Sequence, residues 1–92
     1  MKALTLDRYI KEQLKNPKFA DEWKKSEAGY QVTKELIKAR MEGKISQRQL
    51  AKKANTTQAV ISRVENMTVS PSIGLLQKIA QALGKNLEVR FT

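Results

Sequence analysis

The sequence predicts an all-α fold: a small helical bundle preceded by a two-helix extension and followed by one C-terminal β-strand. Three observations carry this expectation. Apolar residues return every three or four positions through most of the 92 residues, the spacing that gathers them on one face of a helix. Ser, Asn, Thr, Pro and Gly punctuate those runs where helices start and stop. Only the last few residues switch to strict alternation.

Residues 5–14 place Leu6, Tyr9, Ile10, Gln13 and Leu14 at helical intervals, with Asp7 near the start, where a carboxylate suits the helix dipole. Asn16 and Pro17 restart the pattern as N-cap and first helical residue. Phe19, Ala20 and Trp23 then form one apolar stripe on a second short helix. Residues 26–29 read as a break. A third helix over 31–42 carries Val32, Leu36, Ile37, Ala39, Arg40 and Met41, and Gly43 supplies its stop.

Ser46 caps the next helix, on which Leu50, Ala51 and Ala54 share a face. Asn55 ends it, because Asn tolerates the left-handed backbone conformation, and Thr56 and Thr57 lead through a turn into a new N-cap. The helix after that is expected over 58–66. Ile61 and Val64 point inward with Val60 at the margin, which leaves Thr57, Gln58, Ala59, Ser62, Arg63 and Asn66 on the outward arc. Ser70, Pro71 and Ser72 mark a loop and the N-cap of a last helix. Its apolar face is Ile73, Leu76, Ile79, Ala80 and Leu83; Gly74 weakens its first turn slightly and Gly84 ends it. Finally, Leu87, Val89 and Phe91 alternate with Glu88 and Arg90, the pattern of a half-buried strand. A lone strand leaves backbone donors and acceptors unpaired, so this one is expected to pair with its symmetry mate or with a sheet of another protein; the alternative is an extended tail laid against the helices.

The two short helices over 46–65 and their turn make a helix-turn-helix, whose second helix offers small and hydrogen-bonding side chains to the outside. Charge agrees with a polyanionic partner. The formal net charge is +9, and residues 31–92 carry +7 of it; such an excess attracts nucleic acid. The chain has no cysteine and no histidine. That removes disulfides, thiolate metal sites and the commonest general base, so neither an enzyme nor a metal or cofactor protein is expected. Glu12, Asp21, Glu22 and Glu27 are scattered over helix surfaces as solvated charge. No apolar run reaches the roughly 20 residues of a membrane span and no signal segment opens the chain, which fits a cytoplasmic protein.

Three regions follow: an extension over 1–30, the helix-turn-helix domain over 31–85 and the terminal strand over 86–92. Three of the five aromatic residues, Tyr9, Phe19 and Trp23, fall in the extension, and Tyr30 sits at its border. Either these rings cover one side of the small domain as core, or they anchor a partner protein, and the two roles are compatible. The partner-contact candidates are Leu6, Tyr9, Ile10, Leu14, Phe19 and Trp23.

From Val32 to Leu83 the chain resembles the XRE family of phage Cro and repressor-like helix-turn-helix proteins, through the blocks KARMEGKISQRQLAKKANTTQAVISRVEN and PSIGLLQKIAQALG. Two positions depart from the family pattern: the turn Gly is Asn55, and the Gly that follows Glu-Asn is Met67. The resemblance implies a structural ion pair between Arg40 and Glu65. It also implies base reading in double-stranded DNA by Gln58, Ala59, Ser62 and Arg63, and phosphate contacts from Gln47 and Asn66. The chemistry suits these roles: Gln58 matches an adenine edge, Ala59 a thymine methyl, and Arg63 a guanine, with a phosphate contact as the alternative for Arg63. Lys52, Lys53, Thr57 and Thr68 are further backbone candidates. The segment LDRYIKEQLKNPKFADEWKKSEAGYQVTKELIKAR resembles HigA-type antitoxins. That implies a homodimeric repressor of a palindromic operator whose N-terminal helices hold a RelE/HigB-like mRNA-cleaving toxin inactive. A stand-alone phage-like regulator is the alternative.

Overall fold

A computed structural model describes residues 17–92, and the side chains from residue 21 onward. Its helices are α1 (Pro17–Lys25), α2 (Glu27–Glu42), α3 (Gln47–Lys53), α4 (Gln58–Glu65) and α5 (Ile73–Ala82). The expected helix over 5–14, with Leu6, Tyr9, Ile10 and Leu14, lies outside the described residues, as does the side chain of Phe19.

Helices α2 to α5 each begin on a hydroxyl side chain that accepts the backbone N–H three residues on. Ser26 accepts from Gly29, Ser46 from Gln49, Thr57 from Val60 and Ser72 from Leu75, which satisfies donors the helix leaves unpaired. Ser46 goes further and forms a reciprocal capping box: its own N–H donates to the Gln49 side-chain oxygen at 2.8 Å. The start of α2 corrects the sequence reading. The break is Ser26 alone, and Gly29 and Tyr30 belong to the helix, whose single run from Glu27 to Glu42 crosses position 30/31. Gly29 is there because of a neighbour: a side chain at this position would collide with the Trp23 carbonyl oxygen at the end of α1. Ser26 Oγ also donates to that oxygen at 2.8 Å, fixing the sharp turn between the helices.

Helices α2 to α5 all end in the same way. The N–H groups of residue pairs 44/45, 55/56, 67/68 and 84/85 turn back to carbonyls three and five residues earlier, the Schellman pattern, with the first residue of each pair left-handed. Gly84 takes that conformation without strain, at φ 70. Lys44, Asn55 and Met67 take it at φ 56, 57 and 60. Asn55 thus does what the sequence suggested, and Gly43 ends α2 as expected, as its C-cap at φ −77, with the left-handed position one residue on at Lys44. Lys44→Gly is therefore expected to stabilise the fold by about 1 kcal/mol, because the Cβ penalty is relieved at an exposed site. Thermal melting checks this, and a rise of about 4–8 °C is expected. Met67→Gly should gain less, since the Met67 side chain is half-buried and its terminal methyl reaches the backbone at Gly29.

The core is Leu36 of α2, Leu50 and Ala51 of α3, Ala54 at the C-cap of α3, Ile61 and Val64 of α4, and Ile79 of α5, with Ile37, Ile45, Val69, Leu75, Ala82 and Leu83 packed around it. Helix α3 packs on both α4 and α5, α2 on α4, and α1 on the start of α2. Met41 and Ile73, expected on inward faces, are exposed; each sits near a helix end, where the neighbouring helix no longer covers it.

The C-terminal strand is corrected. Among the described residues there is no strand, and Leu87, Val89 and Phe91 are exposed, Phe91 completely. The alternating pattern is present, but a strand needs a hydrogen-bonding edge, and the helical domain offers none. Glu88 and Arg90 pair with each other at 2.5 Å on the solvent side.

Candidate nucleic-acid interface

Helix α4 is held from behind. Ile61 and Val64, both fully buried, fix it against α3 and the rest of the core, and Thr57 and Asn66 cap its two ends. Thr57, Gln58, Ala59, Arg63 and Asn66 are then exposed and Ser62 half-exposed, so one outward face gathers the residues singled out from sequence. No carboxylate lies on it: Glu65, the one acid of α4, is turned inward. Asn66 Nδ2 donates to Ser62 Oγ at 3.4 Å, a long contact that leaves both groups available. Thr68 lies just beyond, its hydroxyl donating to the Arg63 carbonyl at 3.1 Å. That bond closes the end of the helix, so Thr68 has a structural task whatever else it touches.

Glu65 organises the opposite side. Arg40 Nε donates to Glu65 Oε2 at 2.7 Å and Arg40 Nη2 to Oε1 at 3.0 Å, while Arg40 Nη1 reaches the Ile45 carbonyl at 3.0 Å. This two-pronged pair is largely buried, with side-chain exposures of 16% and 5%, and it ties α2 to the C-terminal end of α4. Gln47 Nε2 donates to the same Oε1 at 2.9 Å. Gln47, singled out for a phosphate, thus commits one of its two amide N–H donors to the ion pair and brings the start of α3 into the same knot. Its spacing from Glu65 gave no sign of this, because the contact bridges 18 residues of chain.

Lys52 and Lys53 project from the last turn of α3 and are exposed. Arg48, one turn before Lys52, is also exposed and was not singled out from sequence. The signal was the i, i+4 pair of cations, which lie on one side of a helix. With Gln49, Ala51, Lys52, Thr56 and Gln58, Arg48 lines an open cleft of about 530 Å³ between α3 and the start of α4. Trp23, placed among the partner-contact candidates, is half-buried at the α1–α2 junction, and its indole nitrogen is buried with no hydrogen-bond partner among the described residues. Among the described residues no helix is long and apolar enough to cross a membrane.

The helix-turn-helix family matches residues 36–89. Over 52 residues, 56% of this chain, the sequence is 40% identical to the uncharacterized HTH-type transcriptional regulator y4dL of Sinorhizobium fredii, of which the match covers 26%. The chain thus spans about a quarter of that relative's length. No solved structure matches the chain. With residues 36–89 of 92 matched, and with α3, its turn and α4 in place, the chain belongs to the XRE-type helix-turn-helix family.

Proposed function

We propose that this protein is a transcriptional regulator that binds double-stranded DNA by laying α4 in the major groove, with Gln58, Ala59, Ser62 and Arg63 toward the base edges. Gln47, Lys52, Lys53, Thr57, Asn66 and Thr68 flank them toward the backbone, and Gln47 also steadies the scaffold through Glu65. The observation that carries this reading is the outward face of α4: polar and basic, free of carboxylates, and backed by a fully buried apolar face. One such helix reads only a few base pairs. A homodimer on a palindromic operator, with half-sites about 34 Å apart, supplies the missing specificity. The apolar residues of the 86–92 segment are the pairing element in this proposal.

The test is a pair of substitutions. Arg63→Ala should lose about 1–3 kcal/mol of discrimination at one base pair, measured by selection from randomised duplexes, whereas Lys52→Ala should weaken binding to all sequences alike. If Arg63→Ala behaves as Lys52→Ala does, Arg63 holds phosphate and the base-reading assignment is wrong.

The 1–30 extension is the antitoxin half of the proposal, in which its helices hold a RelE/HigB-like mRNA-cleaving toxin inactive. Trp23 is the probe for this, since it is the single tryptophan and lies where α1 meets the domain. Its fluorescence should shift when such a toxin is added, because the half-buried ring sits at the α1–α2 junction, within the extension that makes the contact. The half-burial of Trp23 where α1 packs on α2 favours the second reading, a stand-alone regulator whose extension widens the core. An unchanged spectrum in the presence of toxin supports that second reading.

A further inference from the structure

We propose that Arg48 seats a phosphate of the DNA strand beside the base pairs that α4 reads, next to the phosphate held by Lys52. The inference rests on the DNA-binding reading above and assigns a backbone anchor that neither the helix-turn-helix pattern nor the charge balance singled out. Its place is the cleft between α3 and the first turn of α4, with Arg48 and Lys52 on one side and Thr56 and Gln58 on the other.

Four features make this a seat rather than a stretch of solvated charge. Residues four apart rise about 6 Å along a helix and face the same way, so the two cations address neighbouring phosphates of a single strand. Ala51, nearly fully buried, lies between them in sequence and lines the cleft as an apolar wall, so nothing there competes for the anion. Among the described residues Arg48 has no ion-pair or hydrogen-bond partner, in contrast to Arg40 and Arg90, and its planar fork suits two phosphate oxygens. Gln49, which shares the cleft, has its side-chain oxygen tied to the Ser46 N–H by the capping box. The backbone of α3 is thereby held in register while Arg48 stays free. Gln58 joins the cleft to the outward face of α4, so a strand held by Arg48 passes next to the first reading position.

The experiment measures the affinity of the whole protein for a labelled mixed-sequence duplex and for a duplex selected by the wild type, each over a series of salt concentrations. Arg48→Gln should lower the slope of log affinity against log salt by about 1, with the same fold-loss on both duplexes. Arg48→Lys should keep the slope. Lys38→Gln, in the separate groove between α2 and α5, should change neither slope nor affinity, and its melting temperature and that of Arg48→Gln should match the wild type. An Arg48→Gln protein with the wild-type slope and affinity overturns the proposal while leaving the DNA reading intact. A loss confined to the selected duplex also overturns it, because it would make Arg48 a base reader. A wild type that binds neither duplex overturns this proposal and the DNA reading together.

Discussion

Arg40→Ala is expected to cost about 3–5 kcal/mol of folding stability, the largest loss from any single polar side chain described. The change removes both donors to Glu65 and the donor to the Ile45 carbonyl, leaving a carboxylate 5% exposed with only the Gln47 amide beside it. An ionised group buried without its partner is the costly outcome. Small domains hold about 5–15 kcal/mol in total, so a large share of the stability disappears, and urea unfolding should register it directly. Replacing both partners with apolar residues, Arg40→Met with Glu65→Leu, should cost far less, because no charge is stranded. A loss below 1 kcal/mol in Arg40→Ala would mean that the pair behaves as an exposed salt bridge and does not tie α2 to α4.

Ile61→Ala is expected to cost about 2–5 kcal/mol through lost burial and the cavity left behind. Ile61 is fully buried between the helix-turn-helix and the rest of the core, and its loss loosens α4 on the side opposite the proposed reading face. The effect should therefore appear twice, as a lower unfolding midpoint and as weaker DNA binding that recovers on cooling toward the temperature of maximum stability. Phe91→Ala is the contrast. Phe91 is wholly exposed, and its replacement should stay within about 0.5 kcal/mol in the dilute monomer. A small loss at Ile61 would contradict the packing of α4 described above.

The difference between these positions traces how much of the molecule its sequence made legible. Ser46, Thr57 and Ser72 announced their helix ends because capping is local: the side chain and the backbone group it serves lie three residues apart; Asn55 did so through its tolerance of the left-handed backbone. Leu50, Ala51, Ile61 and Val64 announced the core through helical spacing. Gly29 misled, because its reason for being glycine is the carbonyl of Trp23 six positions back, which a local rule reads as a break. Gly43 marked the stop of α2 correctly, while the left-handed conformation of Lys44 beside it carried no sequence signal. The alternation of Leu87, Val89 and Phe91 is real as a pattern, but pattern alone cannot form a strand without an edge to bond. Of the candidate site, the outward arc of α4 was legible from periodicity. The Arg40–Glu65 pair came only through family resemblance, and the contact of Gln47 with Glu65 required the folded chain, because it bridges 18 residues; the cleft beside Arg48 likewise needs the turn that brings Thr56 and Gln58 next to α3.

Contact of α4 with DNA is tested most directly by the salt dependence of binding. Affinity of the purified protein for a selected duplex should fall by orders of magnitude between low and moderate salt, as cations of α3 and α4 give up phosphates to competing counterions. Absence of binding at low salt, or an affinity that salt leaves unchanged, would contradict it.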